Sequence, residues 1–530
     1  MHNVMKSFYL NVIKRVSYWL PLTFFAIVAY GFSTFNPTVS IDDLAREYYI
    51  GDGNAMISAT RWGMVLWVKV FSTLKYIPGV DHLLGVVLLI FGAVTFSTIL
   101  YVLSEQKNYS IKYLIFSALM ITYPLINEIW EYNGANMIVA GNLFLVGLVH
   151  LYLLCENDNR LKKQIISGCL LSIVASSYES GIFVYITVVF IILFYKYVVQ
   201  NMEQERLNWF KEGASYIFPL VIAVILRIVI GILLIKIMGL SYTVNGAAAI
   251  KWGENIVDGF ILFNAYSYIL EGLVYFPITI FLIFILVFIG YCIWISMKQK
   301  RILPCVIGMF LLLSLFGQAF LQLDGMPFRT AQTLMIFVGF CGYFIIEYCE
   351  KVKKYKATIL KFIVVLFLFL CHYQAVYLNS LLTLNYLRSE NEMAMVYQMG
   401  YHIKSEYNDK EVVFVGTYSL GDYINDEVII GKSSWNEKIL FMVLPNEYKE
   451  KTLKYVHTNV NSSLNWSKTA FESQIMMEKY FNYCGFDIHT VEGVTEEFYQ
   501  KNIEIAKKSE MKPFEIKDMG DYLIICIGTL

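Results

Sequence analysis

Two adjacent carboxylates stand out in the polar segment of residues 36–62, which reads NPTVSIDDLAREYYIGDGNAMISATRW. Asp42 and Asp43 follow the first long apolar stretch by a few residues, so we expect them at a membrane surface. A carboxylate there can accept the proton of a sugar hydroxyl that attacks an anomeric carbon. Two neighbouring acids can also hold a divalent cation such as Mg²⁺ or Mn²⁺. The alternative is a solvated loop in which residues 40–43 cap a short helix.

The same segment ends in Arg61, followed by Trp62 and Gly63. We expect Arg61 at the interface where lipid phosphates lie, and a guanidinium group is well suited to bind phosphate. The indole ring of Trp62 can stack on a sugar ring. It can equally belong to the belt of aromatic residues that membrane proteins place at the interface. The segment therefore combines candidate residues for catalysis, for phosphate binding and for sugar binding.

Further polar side chains are predicted on the same side of the membrane. Glu128, Tyr178 and Glu179 are candidate substrate-binding residues, and Arg329 is a second candidate for binding phosphate. Ionisable groups at membrane depth are costly and mark binding sites or pathways by default. Arg227, deep in an apolar stretch, either contributes to such a site or forms a structural ion pair with Glu179. The lone histidines are not at metal-ligand spacing, and no metal ligand is assigned among these residues.

The composition of the chain is that of a membrane protein. Of its 530 residues, 57% are hydrophobic and 16% are charged. Soluble globular proteins average about 25% charged and about 45–50% apolar residues. The composition therefore excludes an ordinary water-soluble enzyme, a disordered protein and a disulfide scaffold. There is no strongly basic stripe, so nucleic acid is not an expected partner, whereas the lipid bilayer is.

Apolar stretches predict about 11 transmembrane helices, because a span needs about 20 mostly apolar residues. The third and the fifth stretch are short, and Trp62–Val80 suits an interfacial or re-entrant helix better than a span. The predicted spans lie near Tyr18–Phe35, His82–Leu103, Tyr113–Leu125, Ala135–Leu154, Ile165–Ser177, Ile182–Val199, Ala214–Met238, Gly272–Met297, Ile302–Leu321, Leu334–Tyr348 and Thr358–Tyr377.

Basic residues collect in alternate loops, which predicts the orientation of the chain. The loops holding Lys107, Arg160 and Lys298 are typical of the cytoplasmic side, and the N-terminus then lies there as well. An odd number of spans puts the C-terminal tail outside. We expect the first apolar stretch to be a span and not a cleaved signal peptide, because further spans follow and no clear small-residue cleavage site does.

The chain divides into an apolar body, residues 1–379, and a polar tail, residues 380–530. Within the tail, Glu411–Gly416 and Asp521–Gly528 are predicted as short buried strands, and Asn391–Tyr407 and Thr469–Tyr483 have helical spacing. The alternation predicts a small α/β domain outside the membrane. Two of its residues, Cys484 and Cys526, either pair there or remain free core thiols.

Several short motifs resemble those of a known family. The first span, the SIDD loop of residues 40–43, the RWG of residues 61–63, the YES of residues 178–180 and the FRTAQ of residues 328–332 are similar to type II Gtr glucosyl transferases. These bacterial membrane enzymes modify O-antigen and related surface polymers and belong to the GT-C class of polytopic glycosyltransferases. The resemblance covers the body from Met1 to about Asn379, and the VFVG of residues 413–416 is also similar.

The resemblance implies a polyprenyl-phosphate-linked hexose as donor and transfer on the outer face of the bacterial plasma membrane. It assigns Asp42 or Asp43 as catalytic base or acceptor-binding group, and Arg61 and Arg329 to the donor phosphate. A single displacement inverts the anomeric configuration and needs no covalent sugar intermediate.

The residues and the resemblance together predict a GT-C-like inverting hexosyltransferase, with glucose as the sugar and a cell-surface glycan such as O-antigen as the acceptor. Two alternatives share this topology. A transporter or flippase of lipid-linked sugar is one, although the chain has no inverted repeat and its acids cluster at one face. A polymerase or ligase of surface polysaccharide is the other, although the longest middle outer loop lacks paired acids.

Overall fold

The computed structural model describes residues 8–38, 53–71, 78–104, 110–132, 135–154, 159–200, 208–243, 278–318, 330–351, 357–407, 410–416, 473–528 and 530. Most of these residues are helical. In chain order the helices of the first 406 residues are α1 (Val16–Phe35), α2 (Asn54–Ser58), α3 (Trp62–Phe71), α4 (Pro78–Ser104), α5 (Lys112–Ile121), α6 (Asn127–Glu131), α7 (Ala135–Leu153), α8 (Arg160–Ser177), α9 (Ser180–Phe194), α10 (Asn208–Ile237), α11 (Ile278–Gln299), α12 (Leu303–Leu315), α13 (Gln332–Lys351) and α14 (Ala357–Glu406).

Within the described residues, seven helices are long and apolar enough to cross a membrane: α1, α4, α7, α9 with the π-helical turn Tyr195–Val199, α10, α13 and α14. The prediction of a polytopic helical membrane protein is thereby confirmed. Each of the eleven predicted stretches contains a helix, but α5 and α12 are short, α8 begins with the polar sequence RLKK, and α11 is only partly described. The ten-residue helix α3 is also too short to span.

The bundle buries one apolar core. Helix α4 packs on α7, α5 on α13, α1 on α14, and α8 on both α7 and α10. Helix α10 borders this core on one side only, since Ala223 is fully buried whereas Val221, Val224 and Ile228 are exposed. In a membrane protein such an apolar outer face is the surface that contacts lipid.

Helix α14 connects two hydrophobic cores. It contains 50 residues, which corresponds to about 75 Å at 1.5 Å per residue. Leu378 and Leu382 belong to the core of the bundle, whereas Met395 and Met399 pack in a second core with residues of the tail. The sequence predicts a span and a separate helix here, but no glycine or proline interrupts residues 357–399, and the structure has one continuous helix.

The tail contains a three-stranded sheet of β1 (Glu411–Val415), β2 (Ile516–Asp518) and β3 (Tyr522–Cys526) in the order β1-β3-β2. Strand β3 pairs in parallel with β1 and antiparallel with β2. Strands β1 and β3 lie in the two segments predicted as strands, and helices α15 (Gln474–Tyr483) and α16 (Glu496–Lys508) pack against this sheet. Cys484 and Cys526 are free thiols. The division at residues 379 and 380 falls inside α14 and stays a prediction.

One end of the bundle contains a buried ionic cluster around Lys112, at the start of α5. The Lys112 side chain is fully buried, and its Nζ atom lies 3.2 Å from Glu350 Oε2 and 3.9 Å from Glu347 Oε2. Glu347 in α13 is buried too and accepts a hydrogen bond of 2.5 Å from the hydroxyl of Tyr195. Because a lone charge in an apolar interior is very costly, these groups stabilise the fold only together.

Replacing Lys112 by Met is expected to destabilise the protein by about 3–5 kcal/mol, because the negative charge of Glu347 then stays buried without compensation. The measurement is the midpoint of thermal unfolding of the purified protein in detergent. The matched control is Lys162→Met, which removes an exposed lysine near the start of α8. Equal midpoints for the two variants would contradict the role assigned to Lys112.

Candidate functional site

Three charged side chains from distant parts of the sequence meet at one place: Arg61 just before α3, Glu179 in the turn between α8 and α9, and Arg227 in α10. Arg61 donates hydrogen bonds from Nε to Glu179 Oε1 (3.2 Å) and from Nη2 to Glu179 Oε2 (2.9 Å). Arg227 donates from Nη2 to Glu179 Oε1 at 2.7 Å. The three side chains are 16%, 22% and 18% exposed. The cluster is thus partly buried and still accessible.

The charges of this cluster do not cancel. Two guanidinium groups share one carboxylate, which leaves one net positive charge. Burial by itself raises the pKa of Glu179, but Arg61 and Arg227 outweigh it, and the pKa lies below its ordinary value. The carboxylate therefore stays ionised at neutral pH, and the excess positive charge persists.

The hydrogen bonds also orient Arg61. Its Nε–Nη2 edge is taken by Glu179, whereas the second edge, formed by Nη1 and Nη2, has no hydrogen-bond partner among the residues that the structure describes. A guanidinium edge carries two parallel N–H groups that match two oxygens of a phosphate or carboxylate. The cluster thus presents the Nη1–Nη2 edge of Arg61, which Glu179 holds in position and which fits an oxyanion.

The sequence of residues 61–63 fixes the backbone that carries Arg61. A Cβ atom on Gly63 would lie only 2.5 Å from the carbonyl oxygen of Ile173, so glycine permits α3 to touch the last turn of α8. Trp62, half-buried, donates its indole N–H to the backbone carbonyl of Arg227 at 3.3 Å. Arg61, Trp62 and Gly63 thus each link this segment to a helix that bears part of the site.

The cluster lies beside the second half of α10, before the C-terminal end of that helix. Ten residues separate Arg227 from Ile237 at the end of the helix, a rise of about 15 Å. That last part of α10 packs on α2, where a Cβ on Gly231 would lie 2.9 Å from Thr60, and the Thr243 amide donates to the Ser58 carbonyl. The outer face of α10 at the level of Arg227 is apolar and exposed. A ligand with a lipid tail can therefore approach the charged cluster from the bilayer.

The other predicted site residues are distributed as follows. Tyr178 is half-buried and ends α8, with its amide bonded to the Val174 carbonyl, next to Glu179. Glu128 is part of α6, and its side chain lies outside the described residues. Asp42, Asp43 and Arg329 also lie outside the described residues. The structure therefore brings together Arg61, Trp62, Tyr178 and Glu179, and the functional roles assigned to all eight residues stay predictions.

The contribution of Arg227 is the feature that the sequence reasoning recognised only in part. A Glu179–Arg227 ion pair was one of two alternatives for these residues, and the pair exists, but Arg61 shares the same carboxylate. Sequence spacing could not reveal this, because the three residues are 48 to 166 positions apart. In the described part of the chain, no three His, Cys, Asp or Glu side chains come together as a metal site.

A comparison with protein families identifies a match. The family model described as Glucosyl transferase GtrII matches residues 31–346, which include Arg61, Glu179 and Arg227. No curated protein and no solved structure matches the chain significantly.

Replacing Gly63 by Ala is expected to destabilise the protein by about 1–3 kcal/mol, because the new methyl group would overlap the Ile173 carbonyl and displace α3. The thermal unfolding midpoint in detergent measures this change. Gly290→Ala is the matched control, since a Cβ on Gly290 in α11 meets no atom within 4 Å. A Gly63→Ala midpoint as high as that of the control would show that the close contact is unimportant.

Proposed function

Because the chain belongs to the glucosyl transferase GtrII family, we propose that it transfers a hexose, in the first instance glucose, from a polyprenyl phosphate to a glycan of the bacterial cell surface, such as O-antigen. The observation that carries the proposal is the Arg61–Glu179–Arg227 cluster beside the lipid-facing helix α10. It combines an excess positive charge with access from the membrane, and a lipid-linked phosphate needs both.

The donor phosphate is the first ligand of the proposed site. In a sugar phosphodiester it carries one negative charge, which balances the one net positive charge of the cluster. The free edge of Arg61 binds two phosphate oxygens, Arg227 adds attraction from α10, and the polyprenyl chain lies along the apolar outer surface. Arg329, the second predicted phosphate ligand, stays a candidate for the same role from the segment before α13.

Asp42 or Asp43 is the proposed catalytic base. The carboxylate accepts the proton of the acceptor hydroxyl, whose oxygen forms a bond to the anomeric carbon. The bond between that carbon and the phosphate oxygen breaks, and its electron pair stays on the phosphate. The reaction is one displacement and inverts the anomeric configuration. Positive groups near the phosphate stabilise the charge that develops on the leaving oxygen.

The segment with the two aspartates is tied to the bundle at both of its ends. Before it, Thr38 accepts a hydrogen bond from the Asn385 amide in α14 at 3.2 Å. After it, Gly53 directly precedes α2 with φ of 73°, a left-handed conformation that suits glycine, and a Cβ there would lie 3.1 Å from the Val65 side chain of α3. From Gly53 only eight residues lead to Arg61. These anchors support a common location for the base and the phosphate site.

Trp62, Tyr178 and Glu128 are the remaining proposed substrate contacts, for the sugar or the acceptor. The indole N–H of Trp62 is already donated to the backbone carbonyl of Arg227, so Trp62 can contact a sugar only through a face of its ring. The proposed mechanism includes no step through Mg²⁺ or Mn²⁺, and a divalent cation at Asp42 and Asp43 stays a prediction from the sequence.

The transfer assay with purified protein in vesicles and polyprenyl-phosphate glucose tests the proposal. At least one of Asp42→Asn and Asp43→Asn is expected to abolish sugar transfer while the protein stays folded. Arg61→Gln is expected to lower transfer by about 10²–10³, the effect of removing one donor to a developing oxyanion. Release of lipid phosphate is the readout.

Arg160→Gln is the matched control in this assay, because it removes an exposed arginine at the other end of α8. Full activity of both aspartate variants would contradict the assignment of the base. Full activity of Arg61→Gln would contradict the phosphate site.

The proposed orientation places the cluster and the tail outside the cytoplasm of a bacterial inner membrane, with the N-terminus inside. Protease added to intact spheroplasts is therefore expected to remove the tail beyond α14 and to spare the bundle. Permeabilised spheroplasts are the control for protease activity. A tail that is cut only after permeabilisation would invert the orientation and exclude transfer at the outer face.

A further inference from the structure

We infer that Glu179 sets the charge preference of the site, so that the site accepts a singly charged phosphodiester and releases a doubly charged phosphomonoester. The inference rests on the proposed function, because the donor of the transfer is a phosphodiester and its lipid product is a phosphomonoester. Glu179 is thus a positioning residue that acts through Arg61 and Arg227.

The arrangement of charges is the first argument. A carboxylate that served only to neutralise one arginine would need one partner, but Glu179 accepts two hydrogen bonds from Arg61 and one from Arg227. It lowers the charge of the arginine pair from two to one without occupying the second edge of Arg61. The second edge of Arg61 stays available to one anion, and the net charge of the three side chains balances only one negative charge.

The distance between Glu179 and a bound phosphate is the second argument. A phosphate on the free edge of Arg61 lies in the guanidinium plane at the edge next to Glu179, about 6 Å between charge centres, where like charges still repel appreciably near a protein surface. Glu179 repels the single negative charge of a diester, and the attraction of Arg61 and Arg227 offsets this repulsion. A second negative charge experiences the same repulsion, and among Arg61, Glu179 and Arg227, the three described residues of the cluster, no further positive charge offsets it.

The reaction creates that second charge. When the bond from the anomeric carbon to the phosphate oxygen breaks, the electron pair stays on the oxygen and the acceptor proton goes to the base. The lipid product is a phosphomonoester with about −1.5 to −2 charges at pH 7. A pair of arginines without Glu179 would hold this product more tightly than the donor and would delay the next turnover. Glu179 therefore favours product release.

Two synthetic lipids separate charge from shape: farnesyl phosphate, a monoester, and farnesyl methyl phosphate, a diester. Their dissociation constants are measured with the full-length protein in nanodiscs at pH 8. The wild type is expected to bind the monoester less than tenfold more tightly than the diester. Glu179→Gln is expected to raise this monoester preference about tenfold, because it removes the charge and keeps the size of the side chain.

The pH dependence of binding separates this role from a purely structural one. At pH 5 the monoester carries nearly one charge, because its second pKa is about 6. The gain in monoester preference in Glu179→Gln is therefore expected at pH 8 and is expected to disappear at pH 5. Glu179→Asp, which keeps the negative charge, should retain the wild-type preference. A structural defect would weaken both lipids alike at both pH values.

The outcomes distinguish this inference from the proposed function. If the wild type binds both lipids and Glu179→Gln leaves their ratio unchanged, the inference is wrong and the phosphate site stands. If the wild type binds neither lipid, the proposed function itself fails. If Glu179→Gln does not fold, the wild type decides alone, since a monoester preference above about tenfold at pH 8 would overturn the inference.

Discussion

A charge inside an apolar helix bundle needs partners, and this requirement organises both ends of the molecule. Helix α9 begins beside Glu179 and reaches Tyr195 about 24 Å further along. At the first end Glu179 pairs with Arg61 and Arg227, and at the second Tyr195 binds Glu347, which lies near Lys112. A shift of α9 along its axis would break both groups of interactions. The ionic contacts therefore fix the register in which the helices pack.

The two ends use this chemistry differently. The Lys112 cluster is closed around Lys112 and Glu347: these two side chains are 0% and 2% exposed, Glu347 also accepts a hydrogen bond from the Tyr195 hydroxyl, and only Glu350 at the edge reaches solvent. The Arg61 cluster is open: it is partly exposed, it has an excess positive charge, and it adjoins a helix whose outer face is apolar. A closed cluster stabilises the fold. An open one of the same residue types suits an anionic ligand, and its place beside α10 suits one with a lipid tail.

The sequence predicts the helices and part of the charged cluster, but it does not predict how distant segments pack together. Apolar runs predict where helices lie because the bilayer imposes their composition, although only seven of the described helices are long and apolar enough to span, and two of the three described strands are evident from short buried runs. Glu179 and Arg227 are recognisable as a pair because each is a costly ion at membrane depth. Arg61 joins them only through packing, since the contact depends on Gly63 fitting against Ile173, and no periodicity encodes such an approach. The sequence does not predict the continuity of α14, because its composition changes from apolar to polar midway, although no glycine or proline interrupts residues 357–399.

Because α14 is unbroken, the orientation of the tail around the helix axis depends on the number of residues between the two cores. Leu382 in the bundle core and Met395 in the tail core are separated by 12 residues, and of those whose side chains the structure describes, only Met393 packs against either core as an apolar residue. Inserting one residue there would turn the tail by about 100° around the helix axis and raise it by about 1.5 Å. A change in the length of this stretch therefore reorients the tail, and an insertion of seven residues, close to two full turns, would disturb the facing of the tail much less than an insertion of one.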